Sequence, residues 1–468
     1  MNDQVKVSTI DKKRFTALIG ASRNPLGAMV SNEIGWFANQ DESVLGVLLH
    51  DIDDEYAWVT LGRDEAGRYR GFDVGSCIQS KSEAEKNLIN KITEITLSEQ
   101  KEFPQNDKGK ALELFEIIVS EEKIHPFFRK LSEAPGFSSA KGIISEMMPH
   151  FTDIDGNFVE QFQSAGFDAR IWELYLNAYF VEEGFDFNRS YHAPDFNLAK
   201  YGHKVCVEAT IVGRPKPMTE EEANRSPEPM TREQILEKTM NEMPIKFGSP
   251  LYTKLKKEYW KQKHVAGNPL VLAIADFHDQ QSMLWSSTSL PNYLYGVHHS
   301  SHYDENGKLI IDPIAIETHK HGTKEIPSGY FFQKDAENIS AVMFSNSGTI
   351  SKFNRMGKQA GFGVKNVILH RAGYCHHHDD NASLPKTFSY LVNGECNETW
   401  SEGLSMFHNP NALHPVNPGL FPSIAHHFFE DGQIVSNLPD FYPYASTTSI
   451  LNVVDDDEWE KIKNAKEL

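Results

Sequence analysis

The sequence predicts a mixed α/β architecture, α+β overall, and three observations carry that expectation. Residues 168–212 combine one helical period with three short strand signals. A lysine-rich helical stretch and an apolar run, Pro269 to Phe277, follow them. Before residue 105, strand signals are separated by tight acidic turns rather than by helices. A central mixed sheet flanked by helices, with a β-rich unit in front, satisfies all three.

In the first unit, residues 1–105, Ser43 to His50, Tyr56 to Leu61 and Arg68 to Val74 read as strands of a meander, broken at Asp51-Ile52-Asp53-Asp54 and Asp64-Glu65-Ala66-Gly67. Ser82 to Glu99 follows as an amphipathic helix with Leu88, Ile89, Ile92 and Ile95 on one face. The acids at Asp51 to Glu55 lack the spacing and glycine of an EF-hand and read as a solvated turn. The polar stretch from Phe103 to Gly109 marks a boundary. Residues 106–165 read as a helical linker layer interrupted at Pro126, Pro135-Gly136 and Pro149.

The core, residues 166–372, starts with a helix defined by Ile171, Leu174, Tyr175, Ala178, Phe180 and Val181 and stopped by Gly184. Phe185 to Arg189 is strand-like, Pro194 opens a second extended run containing Asp195, and Lys204 to Val212 is a third with Glu208 inside it. A turn at Tyr201-Gly202-His203 would fold the last two into a hairpin and set Asp195 opposite Glu208. A carboxylate among Val205, Val207 and Ile211 is costly to bury unless a cation or partner meets it. Paired carboxylates on a rigid hairpin suit a hard divalent ion, Mg²⁺ or Mn²⁺, which takes oxygen ligands and keeps sites for water and phosphate.

Beyond the hairpin, Arg214 to Pro229 is a proline-rich acidic loop, and Thr231 to Glu242 and Ser249 to His264 are helical. Ile339 to Phe344 reads as another strand, Ser351 to Ala360 as a short basic helix, and the run from Gly363 to Gly373 as a strand. The polar residues of about 279–338, with one short strand at Leu309 to Ile314, read as an insertion, and residues 373–468 as an irregular, loop-rich extension.

Pro194-Asp195 and, after twelve intervening residues, Glu208-Ala209-Thr210, with Glu173 on the preceding helix, resemble the motif of the PD-(D/E)XK phosphodiesterases, the restriction-endonuclease-like nucleases. The order helix, strand, strand, strand, helix, strand over 168–277 matches the core order of that superfamily. The resemblance implies a restriction-endonuclease-like central sheet, with metal held by Asp195, Glu208, the Ala209 carbonyl and in some members Glu173. It also implies phosphodiester hydrolysis in nucleic acid, DNA before RNA. The family's lysine, two residues past the second acid, is replaced by Thr210, whose hydroxyl carries no charge. Lys254 or Lys257, three apart on the lysine-rich helix, is the expected substitute. A nuclease-like core that binds nucleic acid or protein without cutting is the alternative.

Composition narrows the class further. The 468 residues include 65 Asp and Glu against 46 Lys and Arg, a net charge of -19 that weighs against non-specific coating of nucleic acid. The basic stretch Leu251 to His264 is where phosphate contacts are expected, unless it is simply a solvated face. No apolar run reaches the roughly 18 residues needed to span a bilayer, and no secretion signal opens the chain, so the expected location is the cytoplasm. Cys77, Cys206, Cys375 and Cys396 form no C-x-x-C pair and no disulfide framework.

A rival site is Cys375-His376-His377-His378-Asp379-Asp380 with His408, His414, His426 and His427, which would imply a zinc enzyme; its spacing matches no zinc motif. His299 and His302 are weaker candidates. No G-x-S-x-G elbow, Walker A loop or G-x-G-x-x-G fingerprint occurs. Protein partners and self-association are left open.

Overall fold

In the computed structural model, residues 5–24, 26–105, 111–225, 230–279 and 282–452 are described. The architecture is mixed α+β with several sheets. The first sheet is a five-stranded antiparallel meander, β1 (Val7–Thr9), β2 (Ser31–Asn39), β3 (Val44–Asp51), β4 (Tyr56–Arg63) and β5 (Tyr69–Ile78). Helix Lys81–Leu97 packs Leu88 and Ile92 on it so closely that a Cβ on Gly46 of β3 would lie 2.7 Å from Leu88. The sequence reading missed β2, whose Ser-Asn-Glu opening has no clean alternation.

Pro126 begins a helix (Pro126–Glu133) instead of interrupting one, because its missing N–H is not needed in a first turn. Helices Ser138–Met147 and Phe158–Gln163 complete this layer. The polar boundary expected at 103–109 lies partly outside the described residues, as does the end of the loop after Arg214. One buried cluster runs from Phe15 and Leu45 through Phe128, Ile143 and Trp172 to Val207 and Phe421, so the first unit, the linker helices and the central sheet share a core.

The central sheet has eight strands, in spatial order β19-β18-β17-β14-β9-β8-β7-β6. They are β6 (Asp186–Phe187), β7 (Phe196–Lys200), β8 (His203–Val212), β9 (Leu270–Asp276), β14 (Ala341–Ser345), β17 (Leu404–His408), β18 (Ala425–Glu430) and β19 (Gln433–Asn437). The strands β8, β9 and β14 run parallel to one another. Every residue of β9 is buried, as its uninterrupted apolar run requires of a strand covered on both faces. Val205, Val207 and Ala209 pack on the side of helix Phe167–Glu182, whereas Cys206 and Val212 pack on the side of helix Met243–Leu255. Strand alternation thus sends Glu208 toward the second helix.

Two expectations are corrected. The described part of the expected irregular extension, residues 373–452, is built of strands: β17, β18 and β19 complete the central sheet, and β15 (Val367–Cys375), β16 (Lys386–Val392) and β20 (Pro443–Asn452) form a three-stranded sheet. Their register comes from partners far along the chain, such as Met343 opposite Met406, and leaves no local pattern. The insertion holds two hairpins, β10 (Val297–Tyr303) with β11 (Leu309–Ala315) and β12 (Thr318–His321) with β13 (Lys324–Pro327). No helix among the described residues is long and apolar enough to cross a membrane.

Candidate active site

A two-residue turn joins β7 to β8. Tyr201 and Gly202 both take positive φ, 52° and 80°, the backbone of the tight turns that match strand twist. Lys200 therefore pairs with His203 and Phe196 with Val207. One step further along this register Asp195 stands opposite Glu208.

Each acid binds the other's strand. The Ala209 N–H donates to Asp195 Oδ2 at 2.7 Å, and the Asp195 N–H donates to Glu208 Oε2 at 3.2 Å. Glu208, 4% exposed, also accepts at Oε1 from Lys254 Nζ and from the Tyr259 hydroxyl, each at 2.5 Å. Glu173, from the opposite side of the sheet, is held by Arg170 Nη1 at 2.6 Å, and Arg170 is fixed in turn by Gln161 and Asn157.

Three acids and two cations share this region, and the acids are under-compensated. Burial, then repulsion from Glu208 and Glu173, pushes the Asp195 carboxyl well above its usual range, against the pull of the Ala209 N–H and Lys254. Burial also raises Glu173, with Arg170 and Lys254 opposing and Glu208 adding to it. A small opening lined by Asp153, Asp155, Arg170, Glu173, His192 and Asp195 leads from the surface to these groups.

The candidate lysines separate. Lys254 lies in the last turn of helix Met243–Leu255 and reaches Glu208. Lys257 lies beyond it in an exposed turn, because the chain leaves helical geometry and Glu258 takes φ 51°. Thr210 is half-buried on the Glu208 face of β8. Ala209 contributes its N–H to Asp195. Sequence reasoning missed Tyr259 and Arg170. Arg170 had a signal, three residues before Glu173 on one helix, but the Tyr259 contact spans 51 residues and had none.

Among the described residues, no three His, Cys, Asp or Glu side chains are arranged to hold a metal ion. Mg²⁺ needs fewer, one or two carboxylates with water and phosphate filling the rest. Asp195 and Glu208 are an all-oxygen pair with uncompensated negative charge, the donor type that requirement names, with Glu173 nearby and with both Glu208 oxygens already accepting hydrogen bonds.

Five histidines of the rival set, His376, His378, His408, His426 and His427, have partners of their own. His408 Nε2 and His426 Nδ1 share a hydrogen bond at 2.9 Å, His427 Nδ1 meets Ser436, His376 meets the Tyr444 hydroxyl and His378 meets the Asp440 carbonyl. Burial holds His408 down at about 3 and His427 at about 4, as neutral sheet residues. His302 pairs with Asp312 at 2.8 Å, and His299 accepts from the Ile434 N–H.

Comparison of the chain with protein-family models, with curated proteins and with solved structures gave no match.

Proposed function

We propose that the chain is a metal-dependent nuclease that hydrolyses phosphodiester bonds, DNA being the first substrate to test, with Mg²⁺ or Mn²⁺ at Asp195 and Glu208. One observation carries the reading: two acids meet across a hairpin with a lysine ammonium 2.5 Å from the second, so Lys254 offers the positive charge that Thr210 cannot. The restriction-endonuclease-like order of the core supports it.

In this reading Asp195 and Glu208 hold the ion, with the Ala209 carbonyl and Glu173 as further oxygen donors. When bound, the ion would lower the pKa of a water and stabilise charge on the phosphoryl group. Lys254 would neutralise charge on the attacking oxygen or the phosphate, and Tyr259 would hold Glu208 in its rotamer. Arg170 would keep Glu173 turned toward the opening.

The test is nicking of supercoiled DNA with Mn²⁺, comparing wild type with Asp195→Ala and Glu208→Ala. Loss of cleavage in both variants is expected, and equal residual cleavage in all three proteins overturns the assignment.

A second reading has a specific observation behind it. Glu208 already accepts three hydrogen bonds, two of them from Lys254 and Tyr259, which is how a closed structural network would look. A nuclease-like core that binds nucleic acid or a protein without cutting would show no cleavage with any divalent ion, yet unchanged binding in Asp195→Ala.

A further inference from the structure

Two arginines line the opening that leads to Asp195, and only one of them has an acid. Arg170 is spent on Glu173 at 2.6 Å. Arg189, in the loop between β6 and β7, has no carboxylate partner among the described residues, and its guanidinium makes one hydrogen bond, from Nη2 to Asn177 Oδ1 at 2.7 Å.

The side chain is nevertheless held in place. Asn177 lies four residues after Glu173 on helix Phe167–Glu182, so it anchors Arg189 on the helix face that also carries Glu173. The rings of Phe187 and Phe151 have their centres 4.3 and 5.9 Å from the guanidinium carbon, a stacking that a weakly hydrated, planar cation tolerates well. Nε and Nη1 bond nothing in the protein, yet neither is sealed from solvent. Burial, with no acid to oppose it, pulls the guanidinium down to about 10, which still leaves it charged at neutral pH.

The other charges of the opening are already engaged. Asp153 accepts from the Gly156 and Phe158 N–H groups at 2.9 Å, Asp155 bonds His192 at 3.1 Å, and Asp195 accepts from the Ala209 N–H. What is missing is an anion for Arg189. The opening measures about 50 Å³, far below the roughly 300 Å³ at which small-molecule sites begin, so it admits one group of a larger ligand rather than a whole small molecule. A guanidinium fork matches the paired oxygens of a carboxylate or a phosphate. Of these, phosphate is the one that recurs along the polymer assigned to the neighbouring acids.

We propose that Arg189 binds a backbone phosphate of the nucleic acid, beside the phosphodiester held at Asp195 and Glu208. The inference rests on the nuclease reading and adds to it a substrate-binding residue that makes the entry to the site selective for a polyanion.

The test is fluorescence anisotropy of the full chain with a labelled short DNA duplex in Ca²⁺, using a panel in which each phosphate in turn is an uncharged methylphosphonate. Wild type is expected to lose about tenfold in affinity at one position, the scale of a hydrogen bond to a charged group. Arg189→Gln should lose as much on the unmodified duplex and nothing more at that position. Its plot of log affinity against log salt should be shallower by about 0.9, the value for one phosphate. Its thermal stability should hold or rise, because a desolvated cation without a counter-ion has been removed. A lower Tm with an unchanged salt slope would mark a purely structural arginine and overturn the proposal. So would a wild type that does not bind the duplex, or an Arg189→Gln that binds like wild type or keeps the full wild-type loss at every position. Nicking by wild type with Mn²⁺ would uphold the nuclease reading even then, and the expected binding pattern without nicking would keep Arg189 and remove hydrolysis.

Discussion

Asp195 and Glu208 grip each other's strands. Asp195 accepts the N–H that follows Glu208, and Glu208 accepts the N–H of Asp195, at 2.7 and 3.2 Å. The hairpin is thereby closed at its open end by the same two carboxylates that are the candidate metal ligands, so changes there act on stability and on chemistry together.

The two candidate lysines should behave differently. Lys254 touches Glu208 and Lys257 points to solvent from an exposed turn. Lys254→Gln is expected to lower the Mn²⁺-dependent nicking rate by about 10²-fold, the scale for losing one charge-stabilising donor. Lys257→Gln should stay within about twofold, since a surface change away from the site is near neutral. Equal losses in both would remove Lys254 from the assignment.

The pH dependence of stability follows from Asp195. Its carboxyl titrates well above the ordinary value in the folded chain, so the fold keeps a proton that the unfolded chain has released. Stability is therefore lost as pH rises from about 4, the ordinary Asp value, through the raised folded value. In EDTA, the Tm of wild type relative to Asp195→Asn should be higher near pH 5 than near pH 8. A difference that stays flat or grows with pH contradicts the crowding of acids described above.

Divalent ions should relieve that crowding. Mn²⁺ at about 100 times its Kd is expected to stabilise wild type by about 2.7 kcal/mol, read as a rise in the midpoint of urea unfolding. Glu208→Ala should show no such rise. Equal stabilisation of both proteins would place the ion elsewhere.

Glu398 carries the opposite pH sign. Fully desolvated, it is bound by Lys352 and Arg355, each at 2.8 Å, and these cations with Arg371 hold its carboxyl far below the usual range. Its contribution is present at neutral pH and is lost as pH falls through that low folded value. Glu398→Gln leaves buried cations unmatched, at a cost of about 3–5 kcal/mol. Urea unfolding within about 1 kcal/mol of wild type would show the network to be dispensable.

Gly357 sets how closely two helices approach. A Cβ there would lie 2.1 Å from the Ser139 carbonyl oxygen, a backbone atom that cannot rotate away. Gly357→Ala should lower stability by about 3 kcal/mol, the upper end for overpacking. Gly394→Ala, with nothing within 4 Å, is the matched control.

Much of the site was legible locally. Alternating apolar residues in β8 and a Tyr201-Gly202 turn are short-range signals, and a two-residue hairpin leaves one register in which the apolar face stays buried. That register alone sets Asp195 against Glu208. The buried β9 was legible for the same reason, since a strand covered on both faces must be apolar throughout.

The sequence by itself determined the hairpin, the pairing of its acids and the mixed α+β class, because turn chemistry and strand period act over a few residues. Only the tertiary structure decided which lysine meets Glu208, that Tyr259 joins it from 51 residues away, and that the histidine-rich tail supplies strands of the central sheet. Those outcomes depend on where a helix stops and which distant strand offers its edge. Such contacts close long loops and leave no periodic trace in the residues that make them.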